Sequence, residues 1–147
     1  MKFLKYGLKF FLILLMSSIF LSTANAMIER YDQPDKIIIV NSLSPQFEII
    51  QSANATTGYS WVLRNYDKKL LTLVESHYIP SKSQLAGSGG KMLWAFKATP
   101  KAFEQSGTET KILLTYARSW APNDNPTSVE FKVVFKKAGE DEVRIMS

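Results

Sequence analysis

Cysteine is absent from the 147 residues, and histidine occurs once, as His77. The first absence excludes disulfides, thiol nucleophiles, Cys-bound zinc and a lipid-modified cysteine anchor. The second excludes any site that needs two imidazoles. Asp32, Asp35, Asp124, Glu140, Asp141 and Glu142 follow no metal-binding spacing. His77 lies in a strand pattern with Glu75 and Ser76, where successive side chains point to opposite faces, so these neighbours make no triad. His77 reads as a surface or strand-edge residue. No catalytic residue, metal ligand or cofactor is expected, and the chain reads as a binding protein rather than an enzyme.

Long apolar runs are also missing. The longest, Phe10 to Leu21, falls short of the ~20 residues of a comfortable membrane span. It follows Lys2, Lys5 and Lys9 and precedes Ala24-Asn25-Ala26, a small-x-small site. This pattern predicts a signal peptide over 1–26 and an exported domain over 27–147, periplasmic or secreted, with no stable membrane anchor after cleavage. Removing the three lysines lowers the formal net charge from +5 to +2. No Lys/Arg-rich block remains, so a nucleic-acid partner is not expected. A domain of this size buries an adequate core without disulfides, and a monomer is expected.

No amphipathic helix of ten residues is evident. Period-two alternation is. Phe47-Ile49-Gln51, Tyr59-Trp61-Leu63, Met92-Trp94-Phe96-Ala98, Ile112-Leu114-Tyr116 and Val129-Phe131-Val133-Phe135 each alternate with the residues between them. Rich in β-branched and aromatic residues, these are half-buried strands. Ile37 to Val40 and Leu70 to Ile79 add two more, the second halted by Pro80. Turn signals at 43–45, 65–67, 105–107 and 122–126 separate the strands. The expected fold is all-β, an immunoglobulin-like antiparallel sandwich of about seven strands. Phe47, Ile49, Trp61, Leu63, Phe96, Ile112, Leu114, Phe131, Val133 and Phe135 are expected in the core. The charged tail, 137–147, is expected to fray.

Three short segments stand where strand patterns break off. Asn54-Ala55-Thr56-Thr57-Gly58-Tyr59 carries Asn and Gly, which tolerate positive φ, and two hydroxyls. Gly87-Ser88-Gly89-Gly90 lets a partner approach the backbone closely. It is no phosphate loop, because Lys91 is followed by Met92 and by a strand pattern rather than a helix. Arg118-Ser119-Trp120 offers the residue types most enriched at binding hot spots. Taken singly, the first two fit ordinary connections as well, and Trp120 fits equally a ring folded over the end of the sandwich.

Taken in order, NATTGYSW, QLAGSGGKMLW and LTYARSW resemble the NPTTGY, GxGG and RPW loops of the chagasin family. The similarity spans most of residues 47 to 136. The resemblance implies an immunoglobulin-like sandwich that inhibits papain-like cysteine proteases reversibly and competitively. The three loops, clustered at one end, would enter the active-site cleft. It implies a protease-binding set of Asn54, Thr56, Thr57, Gly58, Tyr59, Gly87, Ser88, Gly89, Gly90, Arg118 and Trp120. Thr56 and Thr57 would face the catalytic Cys–His pair, Gly87 to Gly89 would offer backbone hydrogen bonds, and Trp120 would pack on the leaving-group side. Arg118 would brace the loops or meet an acid of the enzyme. Two family prolines are replaced, by Ala55 and Ser119, which bears on loop rigidity and hence affinity. The same loops on the same sandwich would also serve an extracellular module binding a carbohydrate or an adhesion partner.

Overall fold

The computed structural model describes residues 27–83, 88–121, 123 and 125–139. Eight strands alternate with short connections: β1 Glu29–Tyr31, β2 Ile38–Asn41, β3 Gln46–Ala53, β4 Tyr59–Asn65, β5 Leu71–Pro80, β6 Gly90–Ala98, β7 Glu109–Arg118 and β8 Thr127–Lys136. Seven of them coincide with the seven expected strands. β1 is additional, and at three residues it is too short to carry a period.

The strands form two four-stranded sheets, ordered β1-β3-β6-β5 and β2-β8-β7-β4. Both are mixed, which corrects the expected antiparallel architecture. β1 runs parallel to β3, and β2 runs parallel to β8. The remaining ladders are antiparallel. Alternation reports which face a side chain takes and is blind to strand direction, so the two parallel pairs leave no mark in it.

The sheets pack face to face over one core. Phe47, Ile49, Leu71, Trp94 and Phe96 of the first sheet meet Ile38, Val40, Ile112, Leu114, Phe131, Val133 and Phe135 of the second. Phe47 and Phe96, paired across β3 and β6, stack at 5.6 Å. Eight of the ten expected core residues are fully buried. Trp61 and Leu63 are half-buried, because β4 is an edge strand and its inward side chains sit at the margin of the sandwich. Ile38, Val40, Leu71 and Trp94 belong in the core as well.

One end is closed by aromatic packing. A 3-10 turn, Pro100–Phe103, buries Ala102 and sets Phe103 edge-on against Phe135 at 5.8 Å. Tyr66 meets Phe96 in the same way at 5.5 Å. The connections β3–β4, β5–β6 and β7–β8 leave from the other end. His77 is exposed on β5, an edge strand, with its Nδ1 2.9 Å from Glu75 Oε1. The expected signal segment, 1–26, and residues 140–147 of the tail lie outside the described residues.

Candidate functional site

The three segments converge on one end of the sandwich because strand register brings them there. Gly90, the first residue of β6, pairs with Ala53 on one side and Pro80 on the other, so the second loop rises beside the first. Tyr59 pairs with Arg118, so the third loop rises beside the first from the opposite sheet.

The first loop is built around Asn54. Its side-chain Oδ1 accepts the backbone N–H of Thr56 at 3.2 Å and the Thr56 hydroxyl at 2.6 Å. Its carbonyl accepts the Thr57 hydroxyl at 2.7 Å and the Thr57 N–H at 3.2 Å. These bonds wind Ala55–Thr57 into a single 3-10 turn. Thr56 and Thr57 are exposed on it. Both hydroxyls are therefore engaged within the loop, holding a shape that proline would otherwise fix.

Gly58 leaves the turn with φ of 76°, in the left-handed region. A side chain there would also find no room. A Cβ on Gly58 would lie 2.0 Å from the Cη2 atom of Trp120. The indole thus lies directly over the Gly58 backbone, while 70 % of Trp120 stays exposed. A backbone platform under a solvent-facing aromatic joins the first loop to the third. Arg118 strengthens the joint, its guanidinium carbon 4.7 Å from the centroid of the Tyr59 ring. The turn of residues 118–121 closes with Ala121 N–H donating to Arg118 O at 3.3 Å.

In the second loop, Gly87 lies outside the described residues, together with 84–86. Ser88 and Ser83 bridge the loop's base, the Ser88 hydroxyl donating to Ser83 O at 2.8 Å. A Cβ on Gly89 would be 3.0 Å from Ala53 O, and one on Gly90 would be 2.3 Å from the Tyr78 hydroxyl. Gly89 and Gly90 permit close approach of β3 and β5 and thereby set the second loop against the first.

Beneath the loops, two hydrogen bonds cross between sheets. Trp61 Nε1 donates to Ser52 O at 2.9 Å, and Asn54 N–H donates to the Tyr116 hydroxyl at 3.2 Å. Tyr116 stacks on Tyr59 at 5.3 Å and tilts against Trp61 at 5.0 Å. Sequence reasoning placed Tyr116 and Trp61 in strands and gave them no part in the site. The available signal was parity: Tyr59, Trp61, Tyr116 and Arg118 share one face once Tyr59 is opposite Arg118.

The family model described as chagasin family peptidase inhibitor matches residues 42–135. The chain belongs to the chagasin family. It is accordingly a peptidase inhibitor and not an enzyme. This chagasin-family chain is 38% identical to Amoebiasin-1 of Entamoeba histolytica over 88 residues, 58% of this chain and 78% of that protein. The solution structure of amebosin matches with a TM-score of 0.58 at 30% identity, over 76% of this chain and 100% of that one. The crystal structure of the cysteine protease inhibitor EhICP2 from Entamoeba histolytica matches with a TM-score of 0.52 at 18% identity, over 76% and 99%. At that identity the likeness to EhICP2 concerns the fold.

Proposed function

We propose that this chain inhibits papain-like cysteine proteases reversibly and competitively, with the loops at 54–59, 87–90 and 118–120 entering the active-site cleft. The observation that carries the proposal is the joint between Gly58 and Trp120. It presents an exposed indole on a bonded loop at the one end where all three segments meet. Family membership supports the inhibitory role, and the NATTGY, GSGG and RSW segments support the cysteine-protease class.

The mechanism is occlusion. Thr56 and Thr57 face the catalytic Cys–His pair from a turn already held by internal hydrogen bonds, so little order remains to be imposed on binding. No scissile carbonyl is offered to the thiolate, so no covalent step occurs and the complex dissociates intact. Trp120 is the anchor, a large and mostly exposed aromatic of the kind that dominates interface energetics. The inhibitor acts as a monomer outside the cytoplasm, in the periplasm or beyond it, once residues 1–26 are removed.

Titration of papain with the purified protein, at several concentrations of a small substrate, tests this. A stoichiometric, reversible loss of activity that substrate competes away is expected. Trp120→Ala should weaken binding by about 2–4 kcal/mol with the melting temperature unchanged. Full papain activity under a micromolar excess of inhibitor would refute the proposal.

A further inference from the structure

We propose that Tyr116 is a positioning residue of the inhibitory end, a strut that fixes the first and third loops relative to each other. The proposal rests on the inhibitor reading above. Tyr116 belongs to neither loop. It stands on β7, two residues before Arg118 and on the same face.

Its hydroxyl meets the first loop at the point of greatest leverage. The β1–β3 ladder ends at Tyr31 and Ile49, so Ser52 and Asn54 lie beyond it. Backbone donors and acceptors near a protein interior need partners. Side chains of the opposite sheet supply them: Trp61 Nε1 to Ser52 O, and the Tyr116 hydroxyl to the N–H of Asn54 at 3.2 Å. Asn54 is also the residue that holds Thr56 and Thr57. Fixing Asn54 therefore fixes both threonines.

The ring of Tyr116 serves the third loop. It stacks on Tyr59 at 5.3 Å, and Tyr59 carries the Arg118 guanidinium on its ring. Arg118 opens the turn that lays Trp120 over Gly58. One side chain thus stands under both arms of the wedge, with its oxygen directed to one and its ring to the other. The loops are preset as a pair rather than ordered separately on binding.

Tyr116→Phe keeps the ring and removes the oxygen. In protein purified from expression of the full chain, amide exchange at Asn54 should accelerate about three- to tenfold. The amides of Ile112 and Leu114, lower on β7, should be unaffected. The inhibition constant for papain should rise by a similar factor while the melting temperature stays within a few degrees. Unchanged exchange at Asn54 would overturn the proposal. So would general acceleration along β7 and β8 with inhibition by the folded fraction intact, which is the signature of a purely structural role. If the unaltered protein inhibits no papain-like enzyme, the inhibitor reading fails by itself, and exchange at Asn54 alone then decides whether Tyr116 positions the loop.

Discussion

At the scale of single residues, the first and third loops compensate differently for the family prolines they lack. Around Ala55, the hydrogen bonds that Asn54 makes to Thr56 and Thr57 hold the turn. Among the described residues, no such cage of hydrogen bonds surrounds Ser119. Ser119 is the second residue of the 118–121 turn, a position where proline's fixed φ is well accommodated. Ser119→Pro should therefore leave affinity equal or tighter, by up to ~0.4–1 kcal/mol. A marked loss in a papain titration would show that the turn needs the flexibility of serine. Gly58 is the opposite case. Gly58→Ala meets a left-handed backbone, at ~1–2 kcal/mol, and drives a methyl group into the indole of Trp120. Affinity should fall at least tenfold while the protein stays folded, since both residues lie at the solvent-facing end. An unchanged inhibition constant would mean that Trp120 binds equally well away from Gly58. Neither outcome could be anticipated from the motifs alone. Gly58 and Trp120 are 62 residues apart in the chain, and their contact exists only because Tyr59 pairs with Arg118.

At the scale of elements, what was legible and what was not follow from length and position. Five strands declared themselves by several cycles of alternation, and β2 and β5 by short β-patterned runs bounded by turn signals. β1 has three residues and no cycle. Its place is fixed by side chains instead. Tyr31 packs edge-on against Phe47 at 6.4 Å and hydrogen-bonds Glu29, and the backbone of Ile39 on β2 reaches its phenolic oxygen. Tyr31 so links two edge strands from different sheets. Burial, first, and then the Glu29 carboxylate beside it push its pKa up to about 12 from 10.0. The folded protein keeps this proton where the unfolded chain has lost it. The stabilisation is complete below about pH 10 and is lost as pH rises toward about 12. Denaturant midpoints measured from pH 9 to 12 should fall more gently in Tyr31→Phe than in the unaltered protein. Parallel slopes would show that Tyr31 titrates alike in both states. β4 makes the complementary point. Its alternation was read correctly, yet Trp61 and Leu63 are only half-buried, since an edge strand's inward face meets the open side of the sandwich.

At the scale of the molecule, the two ends of the sandwich are built for different tasks. One is sealed by Phe103 on Phe135 and Tyr66 on Phe96. The other is spanned by polar ties, with Ser52 of one sheet and Asn54 of the first loop bonded to Trp61 and Tyr116 of the other sheet, and it leaves Trp120 in solvent. The outer face of the second sheet contributes little by comparison. Lys111 stands opposite Lys132, and each is paired instead with a neighbouring carboxylate, Glu130 and Glu109. Such solvent-exposed pairs contribute little to stability. On the proposed function, binding belongs to the loop-bearing end and stability to the rest. Amide exchange of the protein with and without papain tests this division most directly. Binding should slow exchange at 54–59, 88–90 and 118–121, and leave 42–45, 65–69 and 105–108 at the sealed end as in the free protein. Slowed exchange at the sealed end or along the edge strands, with the three loops unaffected, would contradict it.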